Sequence, residues 1–339
     1  MSSLIKQIGF ILTRKCTAEC SHCGSDASPD KEGVIPMPLI IDFLGLIRGM
    51  NLEVYYITGG EPFLYYPVLK EILRIGQEKN LKAVICTNAF WATSQDEAIN
   101  KLLKLKESGL HLLKLSTDVF HLKKIPLVRI LNAAHAASML EIACEISIPS
   151  LKNDWMAITL YTRLCQETTG KVVLETIHPL GRGEHLPADR MIPQVQKIEN
   201  CPYMGLIELG VNGDVSCCPA GADFPPPTLM VRNVKDYQNP QVLMNKFNFV
   251  PLYHILQTFG PLGLYYLLYS CSDKFSKTKQ NSLHPCHLCR SLTGDQTNSK
   301  QLKIRHGIDL LSEANPESIE VQIKNLGKII HEAEKQYAL

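Results

Sequence analysis

The sequence lacks a dominant charge. Lys and Arg number 35 against 33 Asp and Glu, which leaves +2 over 339 residues, and no long basic or acidic block stands out. Bulk electrostatic capture of nucleic acid or of a membrane surface is therefore not expected. Long apolar runs are missing as well. The longest, Phe249 to Tyr269, is broken by Pro251, His254, Gln257 and Gly260-Pro261, and so falls short of the ~20 apolar residues of a membrane span. An export signal is absent too, because charge returns at Arg14 soon after the apolar stretch Ile8 to Leu12 and no small-residue cleavage site follows. The expectation is a soluble, cytoplasmic protein. Its length excludes a small disulfide scaffold and allows one large α/β domain with an appendage, or two ordinary domains.

What the sequence does have is twelve cysteines. In a reducing compartment so many thiols argue for metal or redox chemistry rather than disulfides. Cys16, Cys20 and Cys23 cluster early; Cys201, Cys217 and Cys218 lie near the two-thirds point; Cys286 and Cys289 come late. Cys86, Cys144, Cys165 and Cys271 are scattered singly and read as packing residues. Two metal centres are the expectation.

Short β-rich runs alternate with longer helical segments up to about residue 178. The strands read as Gln7 to Leu12, Leu52 to Ile57, Leu81 to Thr87, Leu110 to Ser116, Leu140 to Ile148 and Val172 to Ile177. Helices fall between them at Leu39 to Met50, Pro67 to Lys79, Gln95 to Ser108, Pro126 to Met139 and Trp155 to Thr168. Pro67 and Pro126 suit a first turn, and Ser94 with Glu97 reads as a capping box. This order predicts parallel pairing through helical crossovers, an α/β sheet or partial barrel, with functional groups at the C-terminal ends of the strands. The unusual residues fall there: the first cysteines, then Gly59-Gly60-Glu61-Pro62, Thr87-Asn88, Ser116 with Asp118, and His178 with Arg182. Glu145, in mid-strand, reads as a satisfied structural carboxylate as readily as a functional one.

A second region begins after Pro187. Leu206 to Val211 and Val215 to Cys218, joined through Asn212-Gly213, predict a β-hairpin with a tight primed turn. Pro225 to Pro227 forbid regular structure, 240–270 reads as helical and apolar, Ser272 to His284 as a polar loop, and Ile308 to Gln336 as one or two amphipathic helices.

Cys16-x3-Cys20-x2-Cys23 puts three thiolates within eight residues. A cubane iron–sulfur cluster needs a ligand on each of four irons, so three leave one iron open. Zinc would want a fourth donor, and His22 is available. With Gly59-Gly60-Glu61-Pro62 after the second strand, the pattern resembles the radical S-adenosylmethionine (SAM) superfamily over roughly residues 7 to 183. The resemblance implies a partial (β/α)6 TIM-type barrel, with a [4Fe-4S] cluster on Cys16, Cys20 and Cys23 and S-adenosylmethionine on the open iron. It further implies that Gly59, Gly60, Glu61 and Pro62 receive the methionine amino group, Glu61 neutralising it. Asn88, Ser116, Asp118 and Arg182 would make further cofactor contacts. Against this, Gly-Gly-Glu-Pro alone could be a strand-to-helix turn, Thr87-Asn88 and Ser116-Asp118 ordinary cap residues, and Arg182 a surface arginine.

Cys201-x11-Gly213-x4-Cys218 with the later Cys286-x2-Cys289 resembles the shortened auxiliary-cluster region called twitch, a relative of the SPASM domain. That implies a second [4Fe-4S] cluster on Cys201, Cys218, Cys286 and Cys289; a structural zinc knuckle on the same thiolates is the competing reading. Domains are expected at 1–187 and 188–339. Adjacent strand residues face opposite ways, which leaves Cys217 as a free thiol, or Cys218 if the two exchange roles. The opening Thr13-Arg14-Lys15-Cys16-Thr17-Ala18 is similar to peptide epimerases of the epipeptide group. This implies a ribosomally made peptide as substrate, a thiol as hydrogen-atom donor, and an electron donor such as flavodoxin or ferredoxin. Thioether or crosslink formation, oxidation of a small alcohol, and a zinc-stabilised binding protein are the alternatives. Only six residues precede the first strand, so no leader-binding domain is expected ahead of it.

Overall fold

The computed structural model describes residues 5–47, 50–192, 198–201, 204–216, 218, 230–236, 251–269, 284–293 and 316–336. Strands β1 (Gln7–Thr13), β2 (Val54–Gly59), β3 (Lys82–Thr87), β4 (Leu110–Ser116), β5 (Ala143–Ser150) and β6 (Lys171–Thr176) alternate with helices α1 (Met37–Leu46), α2 (Tyr66–Glu78), α3 (Gln95–Glu107), α4 (Leu127–Met139) and α5 (Trp155–Glu167). All six strands run parallel in sequence order. The architecture is the mostly parallel α/β sheet that the spacing predicts, with observed ends close to the expected ones.

The helices form because their apolar positions recur at helical spacing. In α2, Leu69, Ile72, Leu73 and Gly76 are buried while Lys70, Glu71, Arg74 and Glu78 stay on the outer side. Gly76 is required where Tyr55 lies fully buried beneath the helix: a Cβ there would stand 2.3 Å from the Tyr55 hydroxyl. Ala133, Ala134 and Ala137 let α4 pack closely beside α3, whose Ala98, Leu102 and Leu105 are buried. Ser94 caps α3 by accepting the Glu97 N–H at 3.2 Å, and the Glu97 carboxylate pairs with Lys101. Each fully buried Leu or Ile of this core contributes about 1.5–3 kcal/mol.

The sheet continues past residue 188. Strand β7 (Leu206–Leu209) pairs parallel with β1, and β8 (Asp214–Ser216) and β9 (Met230–Asn233) follow antiparallel, giving the order β6-β5-β4-β3-β2-β1-β7-β8-β9. Strand β1 is therefore central, with six of its seven residues buried. The β7–β8 turn departs from the two-residue primed form. Gly213 N–H bonds the Gly210 carbonyl at 2.9 Å, and of Asn212-Gly213 only Gly213 takes a positive φ, 85°. That is the form of a turn followed by a left-handed glycine.

Helix α6 (Pro251–Tyr269) is interrupted at Gly260 (φ 63°), where Pro261 follows and the Glu199 carbonyl leaves no room for a Cβ. Its apolar side chains are buried beside α7 (Pro285–Thr293) and α8 (Pro316–Gln336). The Cys201 N–H bonds the Leu256 carbonyl of α6 at 3.1 Å. Cys286 and Cys289 sit on α7, one turn apart, where no helix is anticipated from the sequence. The expected Pro225–Pro227 break and all of the expected Ser272–His284 loop except His284 lie outside the described residues.

Candidate active site at the C-terminal ends of the strands

The segment after β1 carries Cys16, Cys20 and Cys23 into a cavity of about 210 Å³. Thr58, Gly59 and Gly60 from the end of β2, Cys86, Thr87 and Asn88 from β3, Ser116 from β4 and His121 also line it. Backbone N–H groups point at two of the sulfurs: Ala18 at Cys16 Sγ and Ala27 at Cys23 Sγ, each at 3.4 Å, while Asn88 Nδ2 stands 3.5 Å from Cys16 Sγ. Such donors suit thiolates. Burial, helped by the neighbouring acidic groups, pushes the Cys16 thiol up to about 11 and drives Cys20 higher still, so the charged form needs a cation. Three converging sulfurs, amide donors and an adjoining cavity fit an iron–sulfur cluster with an open iron.

Four neighbouring segments hold this loop. Gly60 N–H bonds the Thr13 carbonyl at 2.6 Å and Glu61 N–H the Lys15 carbonyl at 2.8 Å. A Cβ on Gly60 would lie 2.1 Å from the Lys15 oxygen. The glycine pair is thus needed first for close approach to the cysteine segment. Glu61 itself is fully buried and turns away from the cavity. Its Oε1 accepts from Phe63 N–H (3.1 Å) and Thr87 Oγ1 (2.8 Å), and its Oε2 from Asn88 N–H (2.8 Å). Burial pushes its carboxyl up to about 7 against those three donors. Pro62 starts a short 3-10 turn, Pro62–Tyr65, that Glu61 caps.

Arg182 makes the second brace. Its guanidinium donates to the Cys20 carbonyl at 3.0 Å, to Asp26 Oδ1 at 2.7 Å and to the Ala27 carbonyl at 2.7 Å, while its backbone N–H reaches the Cys23 carbonyl at 3.0 Å. Asp118 makes the third. Fully buried, its Oδ2 lies 2.7 Å from His22 Nε2 and 2.7 Å from His121 Nδ1, while Oδ1 accepts the Phe120 and His121 N–H groups. Burial opposes its charge, but the bonds from His121 and His22 hold it well below the usual carboxylate range. Asn88 is the fourth, its Nδ2 also 3.2 Å from Thr17 Oγ1.

Of the residues expected to touch the cofactor, Gly59, Gly60, Asn88 and Ser116 line the cavity; Glu61, Pro62, Asp118 and Arg182 stand behind its wall. Cys86, taken from the sequence as packing, is in that wall; His22, weighed from the sequence only as a fourth zinc donor, and His121, not singled out at all, join the site. The signal available was their position: His22 between two cysteines, His121 just after β4. In register, Cys86, Lys114, Glu145 and Lys171 form one row across four strands. Glu145 is paired with Lys114 at 3.2 Å and Lys171 at 3.1 Å, and Lys114 reaches Glu175 at 2.8 Å.

In the C-terminal region Cys201, Cys218, Cys286 and Cys289 are all partly buried. Cys201 lies close enough to Cys286 to raise its thiol further, which burial already pushes up to about 12. His178, just beyond β6, meets His284 here, Nδ1 to Nε2 at 3.1 Å. Cys217 and Cys271 lie outside the described residues. Among the described residues, no helix is long and apolar enough to cross a membrane.

Residues 10–160 match the family model of the radical SAM superfamily. The "Putative peptide biosynthesis protein YydG" of Bacillus subtilis (strain 168) is 27% identical over 122 residues, 34% of this chain and 37% of that protein. The GTP 3',8-cyclase of Helicobacter pylori (strain ATCC 700392 / 26695) is 28% identical over 121 residues, 34% of this chain and 35% of the cyclase. These alignments thus span little more than a third of the curated relatives. Among solved structures, Streptococcus suis SuiB bound to precursor peptide SuiA overlaps with a TM-score of 0.46 at 14% identity, covering 83% of this chain and 76% of that one. The three-cysteine segment, its cavity and the family match agree on a radical SAM domain over residues 10–160.

Proposed function

We propose that this radical SAM enzyme modifies a ribosomally made peptide in a reducing cytoplasm, and that the modification is epimerisation at an α-carbon. The observation that carries the reading is the cavity in which Cys16, Cys20 and Cys23 meet Gly59, Gly60, Asn88 and Ser116. The partial match to a peptide biosynthesis protein supports the substrate class. Cys16, Cys20 and Cys23 would hold a [4Fe-4S] cluster, with S-adenosylmethionine beside it against Gly59, Gly60 and the ends of β3 and β4. Bound there, the pair supplies a 5′-deoxyadenosyl radical able to take hydrogen from an unactivated C–H bond. The chain's own part is to brace the cysteine segment, keep water from the cavity, and return a hydrogen atom from a thiol to the opposite face of the peptide carbon. Cys217 or Cys218 is the donor in this reading, and a flavodoxin or ferredoxin returns the electron that, with a proton, restores the thiol. A second metal centre, an auxiliary cluster on Cys201, Cys218, Cys286 and Cys289, belongs to the region after residue 187.

The test is anaerobic turnover in deuterated water with a peptide encoded beside this gene. Deuterium at one peptide α-carbon, lost in the Cys217→Ala or Cys218→Ala protein, is the expected result. Loss of two hydrogens from the peptide mass would replace epimerisation by crosslinking or oxidation. A colourless, zinc-loaded protein that forms no 5′-deoxyadenosine would defeat the enzymatic reading altogether.

A further inference from the structure

The contact between His178 and His284 joins residues 106 apart in sequence. His178 leaves the C-terminal end of β6, and His284 immediately precedes α7. Their rings meet edge to face, 4.8 Å between centroids. Cys286, in the first turn of α7, brings a sulfur to the same point, so that one donor atom from each of the three residues lies within 4.8 Å of the others. None of the three is highly exposed. Arg290, one turn further along α7, pairs with Glu184 in the segment after β6, so the helix is anchored to the barrel beside this cluster.

The 3.1 Å separation of the two ring nitrogens is that of a hydrogen bond in the metal-free chain and is also close to the edge of a metal's coordination shell. Ligands on one metal ion are held that close: with metal–nitrogen bonds of ~2.0–2.1 Å, a tetrahedral edge between two nitrogens is roughly 3.3 Å. Ligands bound to different irons of a cluster diverge from each other instead. Two half-buried imidazoles facing nitrogen to nitrogen, with a half-buried thiol beside them, compose a mixed imidazole–thiolate donor set of the kind zinc or ferrous iron takes.

We infer that His178, His284 and Cys286 bind one transition-metal ion, and that this ion fastens α7 to the mouth of the barrel. The inference rests on the reading that a second metal centre exists after residue 187, and it alters the ligands of that centre: two imidazoles enter, one of them from the barrel itself. In the metal-free geometry His284 Nδ1 accepts the Cys286 N–H at 3.1 Å, which leaves the ring hydrogen on Nε2, between the two rings. On loading, the ion takes that place, the His284 hydrogen moves to Nδ1, the Cys286 N–H gives up that acceptor, and the Cys286 thiol proton passes to solvent. No electron is transferred.

The experiment uses the full chain carrying Cys16→Ala, Cys20→Ala and Cys23→Ala, freed of metal and titrated anaerobically with Co2+. One equivalent should bind, with the intense ligand-field bands of a four-coordinate site and a thiolate-to-cobalt charge-transfer band. His178→Ala and His284→Ala should each weaken binding by at least about tenfold, and Cys286→Ala should diminish the charge-transfer band. H178C keeps a soft donor in place of the imidazole, so it should restore tight binding with added sulfur charge transfer and show that the barrel mouth still folds. Cobalt binding and spectra unchanged in both histidine variants would overturn the inference. If iron and sulfide then build a four-iron cluster indifferent to both histidines, the second-centre reading survives without it. If neither cobalt nor iron binds after residue 187, both fall. Metal analysis of the protein as isolated separates zinc from iron as the ion naturally held.

Discussion

Replacing Arg182 with alanine removes three side-chain hydrogen bonds at once, to the Cys20 carbonyl, Asp26 and the Ala27 carbonyl. Hydrogen bonds to a charged group contribute ~1.5–3 kcal/mol each when sheltered. The Asp26 partner is 35% exposed and Arg182 21%, so that pair counts nearer the surface value of ~0.2–1 kcal/mol, and the two carbonyl bonds carry most of the effect. With each bond at the low end of its range the sum is about 3 kcal/mol, which for a barrel of this size lowers Tm by roughly 6–12 °C. Arg182→Lys keeps the charge but cannot span three acceptors with one ammonium, and should cost about 2 kcal/mol. The measurements are thermal melting, iron retained after anaerobic reconstitution, and S-adenosylmethionine affinity by equilibrium dialysis. Both variants should melt early and lose iron, with affinity falling in proportion to the iron lost. A lysine variant that melts with the wild type and keeps its iron, yet binds S-adenosylmethionine poorly, would refute the brace and restore Arg182 as a ligand for the cofactor carboxylate.

Gly60→Ala should displace the Lys15 carbonyl, which stands 2.1 Å from the added Cβ; strain of about 1–3 kcal/mol at the cysteine segment should show as reduced iron content with far-ultraviolet dichroism unchanged. Glu61 titrates at about 7 in the folded protein against ~4.3 unfolded, so the folded state holds this proton more tightly. Its contribution is fully present below the unfolded value and lost as pH rises through 7, which makes wild type lose about 2 kcal/mol between roughly pH 5 and pH 8. Urea denaturation across that range should show the loss, and Glu61→Gln, which cannot ionise, should flatten it. Asp118→Asn leaves an amide facing two imidazoles where a carboxylate stood, and should cost about 3 kcal/mol and shift the electron paramagnetic resonance spectrum of the proposed cluster when reduced, since His22 sits between two of the cysteines proposed to hold it.

The parallel sheet and its helices were legible because their apolar residues declare themselves locally: Leu69, Ile72 and Leu73 at helical spacing in α2, or the continuous buried run Ile8 to Leu12 in β1. The three cysteines were legible because their spacing is local as well. What could not be read is which way a polar side chain turns at a strand end. Glu61, Asp118 and Arg182 stand where the cavity is, but their atoms are taken by Asn88, His22 and Asp26, pairings set by how distant segments meet. Strand β9 and helix α7 were missed for a related reason. Met230–Asn233 is too short for a periodicity to register, and the Cys-x2-Cys spacing within Pro285–Thr293 drew attention to metal rather than to the helical turn it equally fits.

The pairing of β7 with β1 has a consequence for anyone dividing this chain. Gln7–Thr13 is nearly all buried and is hydrogen-bonded on both sides, to β2 and to β7. A fragment ending at residue 187 would strip one side and leave a flat hydrophobic edge with open N–H and C=O groups, a template for sheet growth between copies. The hairpin β7–β8 is thus the lid on an aggregation-prone margin, and the shortest workable fragment is one that carries it.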